Sequence, residues 1–580
     1  MDFINEIAAL IKIDGADDRD VRTTVTVAAD SAFGDYSLPC FRFAKTLKKP
    51  PAEIAAALQR EISSDLPEFI ERVDAAGGYL NFTLDKSFFA RSVMNGIFEK
   101  GADYGASDDG AGRTVCIDFS SINIAKPFHI GHLGTTVIGA ALCRIFKKLG
   151  YNVVGINHLG DFGTQFGKLI TAYKLWGDRD DIERRGLRAL ADIYVRFHKE
   201  EEENPALVAV AREWFLKIER GDSEALELFG FFKDVTMKEV EKTYVRLGVS
   251  FDSYAGESFY SDKMQPVIDE LRQKKLLTVS DGASIVDLSE YGMPPCLILR
   301  NDGASLYATR DLATIFYRKK AYGFDKCLYV VAYQQNLHFK QVFKVVELMG
   351  YPFYKDLIHV AYGMVSLEDG AMSTRKGNMV YLSDVLDKAK EKALKIIAEK
   401  SPDLKDAEDA AEAVGTGAVI FGALINNRIK DNVFSYDKIL NFDGETGPYL
   451  QYTCARCNSV LEKAGVRISY DKIRGIEASF SDGTESFNSR HIAGGEAYEL
   501  VKLLGKYPEI LRSAMKNYEP SLVTRYLVDT AQSFNRFYIA DKILDGDVSV
   551  KAARVVLTAA VMSVIKNGFE IIGVKPVERM

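Results

Sequence analysis

The sequence predicts a multidomain α/β protein: a small α+β N-terminal domain, an α/β core with a helical insertion, and an all-α C-terminal third. The first observation is length: 580 residues are too many for a single hydrophobic core, so the chain should divide into several domains. Periodicity is the second, since strand and helix patterns alternate in the middle of the chain and helices take over later. Composition is the third: 47% hydrophobic and 27% charged residues are typical of a globular protein.

The N-terminal domain is predicted over residues 1–106. Apolar residues recur at helical spacing in Asp2–Lys12, whereas Val21–Ala28 alternates as a strand does. Gly77–Leu84 reads as a turn that leads into a second strand. The small, polar stretch Gly105–Gly112 then predicts a linker to the next domain.

The α/β core is predicted over residues 107–402, where strands and helices alternate as they do around a parallel sheet. Residues around 170–250 are densely charged and helical, which indicates a helical unit inserted into the core. Residues 403–580 read as long amphipathic helices. We therefore expect three domains with boundaries near residues 106 and 402.

Charge and cysteine content exclude several classes of protein. The chain has 74 Lys and Arg against 81 Asp and Glu, a net charge of −7, so it has no global basic field for nucleic acid. Seven cysteines with one close pair, Cys454 and Cys457, do not form a disulfide framework. The first residues lack a basic signal-peptide start, and we find no apolar run of membrane-spanning length. We expect a cytoplasmic protein with no membrane partner.

The most informative stretch is Asn123–His132, which lies between a predicted strand and a predicted helix. Thr114–Ser120 before it is apolar and β-branched, and Leu133–Leu149 after it has helical spacing. Its histidines should therefore lie at a helix N-terminus, where free backbone N–H groups and the helix dipole favour a polyanion.

Phosphate is the polyanion that this stretch fits best. Gly131 would let it approach the backbone, and His129 and His132 could donate hydrogen bonds to its oxygens. The alternative is a helix cap plus a packing residue, or half a metal site. Zinc would need further ligands, and Cys116 and Cys143 have no recognisable ligand spacing. We interpret the stretch as a nucleoside triphosphate site.

A second candidate nucleotide element is the loop Asp369–Asn378. It carries two hydroxyls and two cations in four residues, and glycines lie near both ends. Such a loop can place cations and N–H groups along phosphates. Taken alone, its composition favours a solvated surface loop over a phosphate site.

Together these elements resemble the class I aminoacyl-tRNA synthetases, and more closely the arginyl-tRNA synthetases. Eight stretches in order along nearly the whole chain carry the resemblance: Ser120–His132, Asn157–Gly167, Ser305–Asp311, Tyr329–His338, Met372–Gly377, Thr446–Tyr452, Phe534–Tyr538 and Pro576–Met580. The resemblance implies a Rossmann-like class I catalytic core with its signature loop at 369–378. It also implies an anticodon-binding helical bundle at 403–580 and an N-terminal domain that contacts the tRNA D-loop.

The function implied is an arginine–tRNA ligase that uses ATP to form arginyl-adenylate, AMP and diphosphate, and charges the 3′ end of tRNA(Arg). We expect Mg²⁺ to accompany ATP without a dedicated protein metal site, and the protein to be a monomer. A catalytically weakened paralogue that binds tRNA or arginine is the alternative. A class I ligase for another amino acid is a third hypothesis, although zinc ligands and room for an editing domain are absent from the sequence.

Selection of arginine requires a carboxylate that reads a planar guanidinium. Asp311 is the best candidate, and Tyr307 shares its helical face at i and i+4. The bland alternatives are a core role for Tyr307, and for Asp311 an ion pair with Arg310 or Arg318. The resemblance implies these arginine-binding residues: Asp118, Ser120, Asn123, His132, Tyr307, Asp311 and Gln335.

The resemblance also implies the other site residues. The catalytic set is Lys126, His129, Gly131, His132, Met372, Ser373, Arg375 and Lys376. The ATP-binding set is Lys126, His129, Gly131, His132, His338, Met364, Met372 and Ser373. The tRNA-binding set is Tyr79, Asn81, Tyr449, Gln451, Arg456, Phe534, Asn535, Tyr538, Arg554 and Met580, with Phe534 expected to lie partly in the core.

Overall fold

A computed structural model describes residues 2–301, 306–367 and 380–580, apart from the side chain of Ser31. The chain divides into two compact units. The first unit contains residues 1–104, 456–507 and 529–565, and the second contains residues 105–455, 508–528 and 566–580.

The first unit contains a four-stranded antiparallel sheet. In spatial order its strands are Thr26–Val27, Tyr36–Pro39, Tyr79–Leu84 and Ile70–Ala76. Its helices in the N-terminal part are Phe3–Leu10, Asp18–Thr24, Ala44–Leu47, Pro51–Ser63 and Lys86–Lys100. The strand predicted over Val21–Ala28 is wrong for most of its length. Asp17 accepts a hydrogen bond from the Arg19 N–H, which caps a helix that continues to Thr24.

The helical third contains a small antiparallel sheet that the sequence did not predict. Its strands are Arg467–Asp471, Gly475–Phe480 and Gly483–Ser486. The two outer strands are short and mostly exposed, and only Gly475–Phe480 alternates, with Ile476 and Ala478 buried, so the sheet gives little of the apolar pattern on which a strand prediction depends. The helices of this third are Ala407–Leu424, Tyr436–Ile439, Gly447–Ala464, Gly495–Gly505, Tyr507–Asn517, Ser521–Ala540 and Val548–Ile572.

The second unit contains a four-stranded parallel sheet. Its spatial order is Leu357–His359, Lys326–Tyr329, Thr114–Asp118 and Asn152–Ile156. After Thr114–Asp118, the next strand of the chain, Asn152–Ile156, adds on one side of it, whereas the two later strands add on the other side. Ligands of open α/β sheets bind at the carboxyl ends of the strands beside such a reversal. The end of this strand at Asp118 is therefore where a site is expected.

Further elements surround this sheet. The helices of the core and its insertion are Leu133–Lys148, Thr164–Trp176, Arg179–Arg185, Leu187–Glu203, Ala206–Glu219, Ser223–Leu247, Met264–Gln273, Tyr307–Tyr322, Asn336–Leu348 and Leu382–Lys400. Leu277–Ser280, Ala283–Val286 and Cys296–Leu299 form an antiparallel sheet, and Val365–Leu367 pairs in parallel with Asn432–Phe434. The predicted helical insertion is thus present as a run of five helices between residues 164 and 247.

One helix contradicts the prediction that no apolar run reaches membrane-spanning length. Val548–Ile572 has 25 residues and a mean hydropathy of 1.8 in its most apolar window, enough to cross a membrane by length and composition alone. In the structure 56% of that window is buried, and Val555, Val556 and Val561 are fully inaccessible. This burial is typical of a core helix in a helical bundle.

Candidate active site

The turn that follows Asp118 has a strained backbone. Ser120, Ser121 and Ala125 adopt positive φ angles of 69°, 43° and 60°, which non-glycine residues rarely do. Such strain persists only where the surroundings enforce it, and it is concentrated at functional sites. The turn lies at the carboxyl end of a central strand, in the position that the fold predicts for a ligand.

Buried hydroxyl groups hold this turn in place. The Ser120 N–H donates to Thr135 Oγ1 at 3.0 Å, and Ser120 Oγ lies 2.9 Å from Thr136 Oγ1 and 2.7 Å from the Tyr244 hydroxyl. Ser120 is 2% exposed. These contacts occupy the side chain that was predicted to bind arginine, so they support a structural role beside the site.

Asn123 lies against a glycine whose missing side chain makes room for it. The Ile124 N–H donates to the Gly160 carbonyl at 3.1 Å, and the Gly160 N–H donates to the Ile122 carbonyl at 2.8 Å. A Cβ atom on Gly160 would lie 2.3 Å from Asn123 Oδ1. The close approach therefore requires glycine, and it fixes where the Asn123 amide lies.

The two histidines lie where the sequence predicts them, at the start of a helix. His129 caps the short 3₁₀ turn Ile130–His132, which continues into Leu133–Lys148. The Gly131 N–H donates to His129 Nδ1 at 3.0 Å, and the two imidazole rings are 4.0 Å apart. The capping alternative is thus correct for His129, and it leaves the other ring nitrogen available to a ligand.

Burial keeps both histidines neutral. It lowers the pKa of His129 to about 4 and that of His132 to about 3, with the neighbouring ring as a further cause for His132. Because Nδ1 of His129 accepts a hydrogen bond, the single proton of its neutral ring lies on Nε2. His129 can therefore donate an N–H to a phosphate but does not bring a positive charge.

The described residues after the second nucleotide element lie beside the histidines. The Ile130 N–H donates to the Val380 carbonyl at 3.1 Å, and the Leu382 N–H donates to the Phe128 carbonyl at 2.9 Å. This pairing holds Val380 and Leu382 against the stretch that carries His129. The predicted loop residues Met372, Ser373, Arg375 and Lys376 lie outside the described residues.

Asp118 is engaged by a buried arginine. Arg318 Nη2 lies 2.7 Å from Asp118 Oδ2, and the Ser121 hydroxyl donates to Asp118 Oδ1 at 2.7 Å. Both oxygens therefore have partners within the protein. A carboxylate can accept about four hydrogen bonds, so these two contacts leave acceptor sites, and the role of Asp118 at the amino end or backbone of the substrate stays a prediction.

The predicted arginine pocket lies on the helix Tyr307–Tyr322. Tyr307 is its first residue and is 71% exposed, so the alternative of a core aromatic is wrong. One turn later, Asp311 Oδ2 lies 2.5 Å from His338 Nε2. Gln335 is exposed at the end of a neighbouring 3₁₀ turn.

The other alternative, an ion pair between Asp311 and a neighbouring arginine, is also wrong. In the described part of the chain Arg310 pairs with Glu257 at 2.9 Å, and Arg318 pairs with Asp118. The Arg310 guanidinium also lies 4.7 Å from the ring centre of Phe162. The carboxylate of Asp311 is thus left for His338 and for a ligand.

Sequence reasoning missed Glu257. Burial, with smaller contributions from the nearby carboxylates Asp311 and Asp161, raises the pKa of Glu257 to about 7, while Arg310 opposes the shift. Lys126 also interacts with Glu257, and burial lowers the pKa of Lys126. A lone glutamate far from Asp311 in sequence carries no local signal, so only the fold reveals a second carboxylate here.

The remaining predicted ATP contact, Met364, lies at the edge of this region. It is 40% exposed, and its N–H donates to Asp431 Oδ1 at 2.7 Å. Among the described residues, no group of three or more His, Cys, Asp and Glu is arranged to hold a metal ion. The described cysteines, including Cys116 and Cys143, are buried thiols that form no disulfide with one another.

The two predicted tRNA contacts of the N-terminal sheet differ in accessibility. Tyr79 is 44% exposed, and its ring lies edge-on to Phe41 at 5.3 Å. Asn81 is buried, and its side-chain oxygen accepts a hydrogen bond from Ser37 at 2.7 Å. Tyr79 can therefore stack on a base, whereas the placement of Asn81 disagrees with a direct contact.

The predicted contacts in the helical third divide in the same way. Gln451 and Phe534 are completely buried, which disagrees with a direct contact to tRNA by these side chains. Gln451 instead donates to the carbonyls of Ala413 and Lys575, and Phe534 packs beside Phe537, also completely buried.

Three other predicted contacts form one surface cluster. Arg456 Nη1 donates to Asn535 Oδ1 at 2.6 Å, and its guanidinium lies 5.3 Å from the ring centre of Tyr538. Tyr538 is 42% exposed. An aromatic face beside a guanidinium and an amide is a suitable surface for an unstacked base.

The last three predicted contacts are half-buried. Arg554 pairs with Asp541 at 2.8 Å and donates to the Lys542 carbonyl at 3.0 Å. Met580 packs against an apolar cluster that includes Leu440. Tyr449 lies in the first turn of Gly447–Ala464. Each exposes part of its side chain, so the burial of these residues is compatible with a contact.

Three family models match the chain in succession. The arginyl tRNA synthetase N terminal domain matches residues 3–84. The catalytic domain of the class I (R) tRNA synthetases matches residues 94–436, more than half of the chain. The DALR anticodon binding domain matches residues 450–580.

Individual proteins give the same result over the full length. The chain is 47% identical to an arginine–tRNA ligase of Alkaliphilus metalliredigens over 581 residues, covering 100% of both chains. It is 46% identical to one of Clostridioides difficile, covering 98% of both. The solved arginyl-tRNA synthetase of Thermus thermophilus is 26% identical with a TM-score of 0.77, covering 96% of both chains. That of Plasmodium falciparum is 23% identical with a TM-score of 0.75, covers 100% of this chain and 98% of its own, and supports the fold.

Proposed function

The chain belongs to the arginyl-tRNA synthetase family, and we propose that it joins arginine to the 3′ end of tRNA(Arg) at the expense of ATP. Membership makes it an aminoacyl-tRNA ligase with a class I core and confirms the resemblance. We further propose the roles of individual residues, the use of Mg²⁺ and the contacts with tRNA.

One observation supports a single reaction centre. Arg318, on the same helix as Asp311, lies 2.7 Å from Asp118, which ends the strand that leads towards Asn123–His132. The elements that carry the proposed arginine carboxylate and the proposed phosphate site are therefore in direct contact. A ligase that attacks ATP with an amino acid needs this proximity.

We assign the phosphates of ATP to the helix start. His129 and His132 would donate N–H groups to them, and Gly131 would allow close approach. Lys126 and the loop residues Met372, Ser373, Arg375 and Lys376 would neutralise the diphosphate as it leaves. Mg²⁺ bound to ATP would add charge neutralisation, with no chain ligand assigned to it. Of the two further ATP contacts that the resemblance implies, His338 and Met364, we propose Met364 alone, because His338 Nε2 lies 2.5 Å from Asp311 Oδ2.

Adenylate formation then needs positioning rather than covalent help. A carboxylate oxygen of arginine forms a bond to the α-phosphorus while the bond from that phosphorus to the diphosphate oxygen breaks. Neutral imidazoles neither attract nor protonate the attacking carboxylate, so His129 and His132 stabilise charge through N–H donation alone. Asn123, held against Gly160, would orient the amino-acid end of the substrate.

Selection of arginine is assigned to Asp311, with Tyr307 covering the side chain and Gln335 at the rim. A carboxylate pairs with two N–H groups of a guanidinium at once, whereas a lysine ammonium offers a point charge. The neighbouring carboxylate of Glu257 is already paired with Arg310 at 2.9 Å, so Asp311 is the carboxylate left to bind a guanidinium.

For the tRNA we propose contacts at Tyr79 and at the cluster of Arg456, Asn535 and Tyr538, together with the half-buried Tyr449, Arg554 and Met580. A monomeric, cytoplasmic enzyme with domains at 1–106, 107–402 and 403–580 completes the proposal. The catalytically weakened paralogue finds no supporting observation, because the paired histidines, Lys126 and Asp311 are all retained.

The test is to charge bulk tRNA with each of the twenty amino acids in the presence of ATP. We expect incorporation of arginine only. Asp311→Asn should lower kcat/KM for arginine at least ~100-fold, since an unpaired desolvated charge costs about 3 kcal/mol or more. Asp403→Asn, at an exposed carboxylate, is the matched control. No incorporation by the wild-type protein would support the paralogue instead.

A further inference from the structure

The carboxylate of Asp311 has one partner among the described residues. His338 Nε2 lies 2.5 Å from its Oδ2 atom, and the Asp311 and His338 side chains are 33% and 26% exposed respectively. The nearby cations are engaged elsewhere, Arg310 with Glu257 and Arg318 with Asp118. The orientation of Asp311 therefore depends on His338 until a ligand binds.

We propose that His338 is a positioning residue for arginine, which acts by orienting the Asp311 carboxylate. This inference rests on the proposed role of Asp311. A carboxylate accepts about four hydrogen bonds, and one donated N–H from His338 holds Oδ2 while leaving Oδ1 and the remaining lone pair for a guanidinium. Binding then needs no reorientation of the carboxylate, so less of the binding free energy is lost.

The placement of His338 supports this role. It lies in the first turn of Asn336–Leu348, and Asp311 lies in the second turn of Tyr307–Tyr322, so each group comes from a regular helix rather than from a loop. The Phe339 ring, 5.5 Å from the His338 ring and packed edge-on to it, restricts the imidazole. Groups held by packed helices are positioned more precisely than groups on loops.

This role differs from the one that the family resemblance implied, which was contact with ATP. A nucleotide ligand at His338 would act on the KM for ATP. A residue that orients Asp311 would act on the KM for arginine and leave the nucleotide unaffected. The two assignments can therefore be separated in one set of kinetic measurements.

The experiment compares His338→Leu, which removes the donor, with His338→Gln, whose amide N–H can replace Nε2–H. We expect His338→Leu to raise the KM for arginine at least ~10-fold with the KM for ATP within about twofold of wild type, because the Asp311 carboxylate is then no longer held in the orientation that binds the guanidinium. His338→Gln should restore the KM for arginine to within about threefold. An equal or larger change in the KM for ATP, no change in the KM for arginine, or equal impairment of both variants would overturn the proposal.

A second measurement keeps the test decisive if the leucine variant unfolds. In an Asp311→Asn background, His338→Ala, which also removes the donor, should have no further effect on the KM for arginine, because the carboxylate that His338 orients is gone. An additive effect would overturn the proposal. Aminoacylation by the wild-type protein distinguishes failure of this inference from failure of the proposed function. If the wild-type protein charges tRNA with arginine but the variants do not behave as expected, only the role of His338 is rejected.

Discussion

Arg318 and Asp118 form an ion pair of 2.7 Å whose side chains are 0% and 8% exposed. Arg318 lies on the helix that begins with Tyr307 and also carries Asp311, while Asp118 ends the strand that leads into the strained turn. The pair thus connects the helix of the proposed arginine pocket to the strand of the proposed ATP site. Breaking this ion pair should therefore disturb both the proposed arginine pocket and the proposed ATP site.

Replacing Arg318 by methionine should destabilise the protein strongly. The substitution leaves Asp118 buried without its counterion, which costs roughly 3–5 kcal/mol of unfolding free energy. Chemical denaturation of the two proteins measures the loss. Combining Arg318→Met with Asp118→Leu should recover part of it, because no unpaired charge then remains. A single variant as stable as the wild type would contradict the importance of this pair.

The close approach of Gly160 to Asn123 gives a second prediction. A methyl group on Gly160 would lie 2.3 Å from Asn123 Oδ1, so Gly160→Ala must displace that side chain. We expect kcat/KM for arginine to fall at least ~10-fold in aminoacylation assays, since small misplacements of positioning groups cost that much or more.

Gly230→Ala is the matched control for this variant. Gly230 lies within the helix Ser223–Leu247, and a Cβ atom there would meet nothing within 4 Å. It should leave activity unchanged and stabilise the helix by about 0.5–1 kcal/mol. Equal activity of the two alanine variants would show that Asn123 does not depend on Gly160.

Local patterns predicted much of the site. The paired histidines lie at a helix start because the strand, cap and helix signals that mark such a junction are all contained within the stretch from Thr114 to Leu149. Tyr307 and Asp311 share a helical face for the same reason, since their spacing matches one helical turn.

Long-range pairing could not be predicted in this way. The partners of Asp118 and Arg310, which are Arg318 and Glu257, are fixed by how strands and helices pack rather than by any local pattern. Burial of Gln451 was missed for a related reason: its polarity suggested a surface, but two backbone carbonyls satisfy its amide inside the structure.

The low pKa of His129 predicts how stability depends on pH. Burial lowers this pKa from 6.5 to about 4, so between these values the unfolded chain takes up a proton that the folded protein excludes. The stabilising contribution is therefore complete above the unfolded pKa of 6.5 and is lost as the pH falls towards 4. The midpoint of unfolding should therefore decrease as the pH is lowered from about 7.5 to about 5.

His129→Asn isolates this effect from other titrating groups. An asparagine oxygen can accept the Gly131 N–H as Nδ1 of His129 does, so the cap is kept while the titrating group is removed. The decrease in the unfolding midpoint below pH 6.5 should be smaller in this variant. An identical pH dependence in the two proteins would contradict the assignment.

The contrast between Tyr538 and Phe534 separates tRNA binding from packing within one helix, Ser521–Ala540. Tyr538 is 42% exposed beside Arg456, whereas Phe534 is completely buried. Tyr538→Ala should raise the KM for tRNA about tenfold with little loss of stability, because base stacking contributes roughly 1–3 kcal/mol. Phe534→Ala should instead lower the unfolding free energy by about 3–5 kcal/mol through the cavity that it leaves. Aminoacylation kinetics and denaturation of both variants make the comparison, and an unchanged KM for tRNA in Tyr538→Ala would remove this surface from the proposed interface.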